Sequence, residues 1–140
     1  MNDGWREVQA EWVGESCFVG RNPSGGEIRI GSLGEQPGVS PMELLLMAVA
    51  GCTGVDVVNI LNKKRQVLTK LSLEVKGRMS AEFPKVYKEI EIIYHMWGSD
   101  LEPKAIEHAI GLSLEKYCSV SLNLHGVASI HSRYVIHDED

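Results

Sequence analysis

The chain has 140 residues, a length that fits one domain and leaves little room for a second. Its hydrophobic fraction of 44% and charged fraction of 24% are those of an ordinary soluble globular protein, which needs neither disulfides nor a metal to hold its core. The formal net charge of −5 argues against a nucleic-acid partner, which would favour a basic face. We therefore expect one domain over residues 1–140 that binds no nucleic acid.

The N-terminal residues predict a cytoplasmic protein. Residues 1–9 are polar, with three charged side chains, and they lack the apolar core of a signal peptide. The longest apolar run, residues 44–50, is too short and too closely followed by polar residues to span a bilayer. We expect no membrane partner and a reducing compartment, where three cysteines do not form a disulfide framework.

Short β-prone segments fill the first thirty residues. Trp12-Val13 and Cys17-Phe18-Val19 are two such segments, and residues 27–30 alternate strictly between polar and apolar side chains. Residues 22–26 have the composition of a turn, and the glycine-rich stretch 31–39 has that of a loop. The pattern predicts three strands, with Cys17 packed among strand residues.

A capping box begins the first predicted helix. Ser40 lies at the N-cap, Pro41 at the first helical position and Glu43 at the third. The helix is expected to extend to about Asn62, and the basic residues 63–65 that follow suit its C-terminal dipole. Its first three turns are apolar on every side, which predicts a central helix that is buried all round.

A hairpin, a second helix and a last strand are predicted next. Apolar and polar residues alternate over 71–76, and residues 86–97 form a second strand-like stretch after a break that contains proline. The pattern Ser99-x-x-Glu102 predicts a capped helix over about 101–117, and residues 127–137 predict a closing strand. The resulting order, β-β-β-α-β-β-α-β, with segregated strands and helices, is that of an α+β fold.

Cysteine is the residue type that offers the most chemistry in this sequence. Cys52 lies on the first predicted helix, and Cys118 lies at or just past the end of the second. Each has an alternative role as a small buried hydrophobe, which is common for free cysteine. No pair has C-x-x-C spacing, and the five histidines lack the local spacing of metal ligands, so we expect no metal and no cofactor. A metal site that forms only in three dimensions would leave no such local signal.

Two segments of the chain resemble those of a known family. Ser-Pro-Met-Glu-Leu-Leu-Leu-Met-Ala-Val-Ala-Gly-Cys-Thr, residues 40–53, looks like the helix that carries the first cysteine of OsmC/Ohr proteins. Glu-Lys-Tyr-Cys-Ser-Val-Ser, residues 115–121, is similar to the segment that bears the second. The order of predicted elements also matches over residues 9–136. The chain resembles the less characterised YhfA-like branch more than the branches with established hydroperoxide reductase activity.

The resemblance implies a cysteine-based peroxidase of the antioxidant stress response. The Cys52 thiolate would attack the peroxide to give a sulfenic acid, Cys118 would resolve it as a disulfide, and an external dithiol would reduce that disulfide. The family lowers the pKa of its first cysteine with an arginine held by a glutamate. Arg21 and Glu43 are the residues available here, although ungapped matching puts Cys17 nearer the place of the arginine. The family also implies an intertwined homodimer, with two antiparallel β regions around long central helices.

Asp56 introduces an opposing electrostatic effect. It lies at i+4 from Cys52 on the same helix face, where a carboxylate disfavours the thiolate unless a cation intervenes. Glu43 also has a simpler role as the capping-box partner of Ser40. The alternative to a peroxidase is therefore a redox-sensing or ligand-binding protein that keeps the fold with an unactivated Cys52.

Overall fold

The computed structural model describes residues 4–138, and the chain divides into two compact units, Met1–Leu45 and Leu46–Asp140. One π-helical turn, Ser113–Tyr117, precedes the last helix. The two separate sheets and the helices confirm the predicted α+β class. The elements in chain order are β1 (Gln9–Gly14), β2 (Cys17–Arg21), β3 (Glu27–Ile30), α1 (Pro41–Lys63), β4 (Val67–Met79), β5 (Tyr87–Ser99), α2 (Pro103–Leu112), α3 (Ser119–Leu124) and β6 (Ser129–His137).

The N-terminal unit contains the three predicted strands as an antiparallel sheet in the order β1-β2-β3. The turn between β2 and β3 is organised by Asn22, whose side-chain oxygen accepts a 2.7 Å hydrogen bond from the backbone N–H of Gly26. An asparagine side chain that bonds to nearby backbone stabilises a turn in this way. Cys17, at the start of β2, is fully buried, as the sequence predicted.

The C-terminal unit contains a mixed sheet in the order β4-β5-β6. β4 and β5 form the predicted antiparallel hairpin, but β6 pairs with β5 in parallel, from Glu89↔Ser129 to Trp97↔His137. The expectation of antiparallel pairing therefore holds for the hairpin and not for β6. The reason is the crossover: the helical segment between β5 and β6 is long enough to return the chain to the starting end of β5.

Alternate residues of β5 form the centre of the core in this unit. Ile90, Ile92, Tyr94 and Met96 are completely buried, and their spacing of two residues puts them on one face of the strand. Aliphatic side chains from the helices are buried with them, and each stabilises the fold by about 1.5–3 kcal/mol. These are Val49, Val57, Leu61 and Ile106.

The capping box at the start of α1 is confirmed. The backbone N–H of Glu43 donates to Ser40 Oγ at 3.0 Å, and the backbone N–H of Ser40 donates to Glu43 Oε1 at 2.8 Å. The helix ends at Lys63, one residue beyond the predicted end. Arg65 then takes a left-handed conformation with φ of 60°, which turns the chain into β4.

The prediction that α1 is buried all round is wrong for a single chain. Its buried stripe, Val49, Thr53, Val57 and Leu61, repeats every four residues, as expected for a helix with one covered face. On the remaining surface, Met47 is 50% exposed and Val55 is 61% exposed. By length and composition alone, α1 meets the criterion for a helix that could cross a membrane. The core helix of a soluble protein meets the same criterion.

The second predicted helix is divided, and its predicted capping box is absent. Glu102 is the N-cap residue of α2 but makes no side-chain cap, and its own N–H donates instead to Gln66 Oε1 at 2.8 Å. α2 ends at Leu112, ahead of the π-helical turn. The short helix α3 that follows was not predicted.

Candidate thiol site

The fold brings Cys52 and Cys118 into contact. Cys52 lies about three turns into α1 and is partly exposed, whereas Cys118 lies between the π-helical turn and α3 and is fully buried. The two thiols are close enough for Cys52 to raise the pKa of Cys118, and both are free. The site therefore pairs one thiol that meets solvent with one that is sealed in the core.

Cys118 is held in place by the helical segments on either side of it. Its backbone is extended, with φ of −78° and ψ of 93°, and its N–H donates to the carbonyl of Ser113 at 2.6 Å. This bond spans five residues, the pattern of a π-helix, and single π-helical turns occur frequently at functional sites. On the other side, the Ser121 hydroxyl donates to the Cys118 carbonyl at 3.1 Å.

The surroundings of Cys118 keep its thiol protonated. Burial raises the pKa of the Cys118 thiol because it disfavours the charged form, and the adjacent Cys52 raises it further. Hydrogen bonds from Ser121 oppose these effects in part, but the pKa stays above its ordinary value. Since only a thiolate is nucleophilic, free Cys118 is unreactive toward solutes at neutral pH.

A chain of buried hydroxyl groups ends on the carboxylate of Asp56. The Ser113 hydroxyl donates to Asp56 Oδ2 at 2.8 Å, Thr53 Oγ1 lies 2.6 Å from Ser113 Oγ, and Tyr94 Oη lies 2.8 Å from Thr53 Oγ1. An ionised carboxylate only accepts, so Ser113 must give its single proton to Asp56. Thr53 must then donate to Ser113, and Tyr94 must donate to Thr53. The carboxylate thus sets the direction of every hydrogen bond in the chain.

Tyr94 closes the buried end of this chain. Burial raises the pKa of Tyr94 to about 12, an effect that the hydrogen bond with Thr53 opposes and that the charges of Cys118 and Asp56 strengthen. The phenol therefore remains neutral and remains a donor across the physiological pH range. Thr53, in the middle of the hydroxyl chain, directly follows Cys52 on α1, and Ser113 accepts the backbone N–H of Cys118 at its carbonyl, so the chain connects the segments that carry the two thiols.

A cavity of about 440 Å³ adjoins the Asp56 side of α1. Its walls combine two ammonium groups, one carboxylate, one amide and an apolar surface, so it suits a ligand with a polar end and an apolar body. Within residues 46–138, no lysine or arginine forms an ion pair with Asp56. The cavity is lined by Asp56, Asn59, Ile60, Lys63, Lys64, Leu112 and Tyr117.

The other two residues that the sequence suggested for the site belong to the N-terminal unit. Arg21 Nε donates to Glu27 Oε1 at 2.7 Å, and a second nitrogen lies 3.6 Å from Glu11 Oε1. The hydrogen bond and charge of Glu27 are the main reasons that the pKa of Arg21 is raised. Glu43 forms the capping box, so the carboxylates that hold Arg21 in this unit are those of Glu27 and Glu11.

The sequence analysis did not identify the three residues that form the buried chain of hydroxyl groups, Thr53, Tyr94 and Ser113. Thr53 directly follows Cys52, but a threonine beside a cysteine carries no specific signal. Ser113 had a detectable one, because it lies seven residues after Ile106 and four after Ala109 on the apolar stripe of the second predicted helix. A hydroxyl on a buried stripe requires a partner, and here the partners are Thr53 and Asp56.

Replacing Ser113 by alanine is expected to lower the free energy of unfolding by about 1–3 kcal/mol, because the Thr53 hydroxyl proton loses its acceptor and Asp56 loses its Ser113 donor, although Thr53 keeps its bond with Tyr94. Urea denaturation of the reduced protein measures the change. Ser119→Ala, at an exposed serine one residue beyond Cys118, is the matched control and should change stability by less than about 0.5 kcal/mol. An equal loss of unfolding free energy in the two variants would contradict the hydrogen-bonded chain of hydroxyl groups.

Comparison with known proteins identifies the family. The model of the family described as OsmC-like protein matches residues 34–132. Protein YhfA of Escherichia coli strain K12 is 34% identical over 130 residues, which are 93% of this chain and 97% of that protein. A hypothetical protein from Aquifex aeolicus VF5 has a similar crystal structure, with a TM-score of 0.87 and 38% identity over 97% of this chain and 98% of that one.

The fold is shared more widely. The organic hydroperoxide resistance protein OhrB of Bacillus subtilis has a TM-score of 0.62 and 15% identity, over 92% of this chain and 96% of that one. At this identity the likeness shows the fold alone. The family match over most of the chain and the agreement with YhfA decide the assignment: the chain belongs to the OsmC/Ohr family.

Proposed function

We propose that this protein is a cytoplasmic, thiol-dependent peroxidase that reduces organic hydroperoxides or hydrogen peroxide. The observation that carries the proposal is the contact between the partly exposed Cys52 thiol and the buried Cys118 thiol. An accessible thiol suits attack on a peroxide, and a protonated thiol sealed beside it suits resolution of the product. Membership of a family whose fold occurs in organic hydroperoxide resistance proteins supports the same reaction.

The first step oxidises Cys52. Its thiolate sulfur attacks one peroxide oxygen, the O–O bond breaks, and the leaving alkoxide or hydroxide takes a proton to become an alcohol or water. Sulfur loses two electrons and becomes a sulfenic acid, while the peroxide gains them. Cys118, with its raised pKa, does not compete for the peroxide in this step.

The second step forms the disulfide. The Cys118 sulfur attacks the Cys52 sulfur, the S–OH bond breaks, and the Cys118 proton joins the departing hydroxide as water. The two thiols already lie near each other in the reduced protein, which favours this attack. An external dithiol, which becomes oxidised, then returns both cysteines to thiols.

The thiolate of Cys52 depends on the balance of charge around it. The Asp56 carboxylate, one helical turn further along α1 and fixed by Ser113, disfavours a second negative charge nearby. A cation must offset it for the first step to be fast. The proposed sources are Lys63 and Lys64, which line the same cavity as Asp56, and Arg21, which the family resemblance implies.

In an assay of peroxide consumption with excess dithiol, Cys52→Ser should abolish turnover, because the attacking sulfur is gone. Cys118→Ser should still form a sulfenic acid in a single turnover but should not form the intramolecular disulfide. Cys17→Ala, at the buried cysteine of the N-terminal sheet, is the control and should retain activity. Mass spectrometry of the wild-type protein after peroxide treatment should show a Cys52–Cys118 cross-link.

Two results would contradict the proposal. Wild-type protein that consumes peroxide no faster than Cys52→Ser would support the redox-sensing or ligand-binding alternative. A cross-link that contains Cys17 would show that the pair of cysteines has been assigned wrongly.

Asp56→Asn is expected to speed the reaction of Cys52 with peroxide by about tenfold at neutral pH, because it removes a negative charge one helical turn from the attacking sulfur. The asparagine oxygen still accepts from Ser113, so the hydroxyl chain is retained. Stopped-flow measurement of the single-turnover rate provides the test, with Glu82→Gln in the β4–β5 turn as the charge control. An unchanged rate would show that the Asp56 carboxylate does not act on Cys52.

We also propose that the protein is a homodimer in which α1 contacts a second copy. Met47, Gly51 and Val55 follow one another at intervals of four residues, so they form one row on α1, and all three are exposed. A glycine at the centre of an apolar row allows another helix to approach closely. The second copy is the partner because members of the resembled family form intertwined dimers.

Light scattering after size exclusion should give the mass of a dimer at micromolar concentration. Val55→Lys places a charge in the exposed row and should shift the population to monomer. Val127→Lys, at an exposed valine outside α1, should leave the dimer intact. A monomeric wild-type protein would refute the proposed assembly.

A further inference from the structure

Three titratable side chains line up on the face of the β4-β5-β6 sheet opposite the buried row of β5. His95 of β5 pairs with Ser72 of β4 and with Val135 of β6. Glu74 and His137 lie two residues from those partners, so they are diagonal neighbours of His95 on the same face. The three residues are distant in sequence, and the sheet register alone brings them together.

Hydrogen bonds connect these three side chains in order. Glu74 Oε1 lies 2.6 Å from His95 Nε2, and His95 Nδ1 lies 2.8 Å from His137 Nε2. The carboxylate accepts, so His95 carries a proton on Nε2. In the neutral ring the lone pair is then on Nδ1, and it faces His137. Glu74 therefore fixes the tautomer of His95.

A proton or a metal ion lies between the two imidazoles. Two unprotonated ring nitrogens at 2.8 Å would direct their lone pairs at each other, whereas a neutral His137 can donate its Nε2–H to His95 Nδ1, and a metal ion can take the place of that proton. A histidine that binds a metal through one nitrogen usually donates its other N–H to a carboxylate, which orients the ring and increases its basicity. The pair of Glu74 and His95 has this arrangement.

The second imidazole is held in position by an aromatic contact. His137 stacks on Trp97 with ring centroids 4.4 Å apart and an angle of 14° between the planes. The Lys70 ammonium lies 4.4 Å from the centre of the same Trp97 ring and opposes a second positive charge, whereas the Glu74 carboxylate favours one. Both histidine rings are thus oriented before any ion binds, which lowers the entropy cost of binding.

We propose that His95 Nδ1 and His137 Nε2 together bind a divalent transition-metal ion of the Zn²⁺ class. Bonds of about 2.0–2.1 Å from each nitrogen at a tetrahedral angle need the nitrogens about 3.3 Å apart, so the pair opens by about 0.5 Å. The His95 side chain is 21% exposed, which lets water complete the shell. With two protein ligands, the ion would keep open coordination positions for water, and we expect it to exchange readily.

Isothermal titration with Zn²⁺ tests the site. Cysteine thiolates also bind zinc, so the titration uses the full chain with Cys52→Ser and Cys118→Ser as the background. We expect one ion per chain, at least tenfold weaker binding in His95→Gln and in His137→Gln, and a loss of about 10–100-fold in Glu74→Gln. His131→Gln, at an exposed histidine on the same face of β6, is the matched control and should bind as the background does.

A second measurement keeps the test valid even where a variant folds poorly. In the Cys52→Ser and Cys118→Ser protein with all its histidines, Zn²⁺ should shift the imidazole ¹⁵N resonances of His95 Nδ1 and His137 Nε2. The resonances of His131 should not change, and a chelator should reverse the shifts. The absence of Zn²⁺ binding would overturn the proposal and leave a shared proton between the rings. Zn²⁺ binding of equal strength in the His95→Gln and His131→Gln variants would overturn it as well.

Discussion

Thr53 makes two hydrogen bonds inside the core, and the placement of both thiols depends on them. It directly follows Cys52, so its bond to Tyr94 fixes the rotation of α1 at the first thiol. Its bond to Ser113 joins α1 to the residue whose carbonyl holds the backbone N–H of Cys118. A buried hydroxyl without a partner costs about 1–3 kcal/mol, so these bonds also exclude other rotations of the helix. The two thiols lie near each other because the buried hydroxyl groups of the core must find hydrogen-bond partners.

The same burial divides the roles of the two thiols. Cys118 lies in the sealed layer with Tyr94, and burial raises the pKa of both groups, so that neither ionises at neutral pH. Cys52 lies at the edge of that layer, where solvent and solutes reach it. The fold thus supplies a buried, protonated thiol that suits the resolving role in the proposed reaction. Within residues 46–138, no lysine or arginine forms an ion pair with Asp56. In the proposed reaction, the rate of the first step depends on a cation at this position.

Local signals in the sequence were sufficient for some elements and not for others. Ser40 and Glu43 predicted the start of α1 because a capping box involves only neighbouring residues. The start of α2 was predicted to within about two residues, but its capping box was wrong, because the Glu102 N–H bonds to Gln66, which lies far away in sequence. Residues 119–124 alternate between polar and apolar side chains, a strand-like pattern that tertiary packing overrides in α3. In the same way, the two cysteines were recognised from motifs, whereas Thr53, Ser113 and Tyr94 meet only in the fold.

Register connects the core of the C-terminal unit to the histidine pair on its outer face. Side chains alternate along a strand, so the register that buries Ile92, Tyr94 and Met96 also places His95 and Trp97 on the opposite side. A shift of one residue would expose the buried row, at a cost of several kcal/mol, and would also separate His95 from His137. The hydrophobic core therefore fixes the two imidazoles without any contribution from their own interaction. A site held by the core in this way remains assembled when its cation leaves, which is the condition for reversible binding.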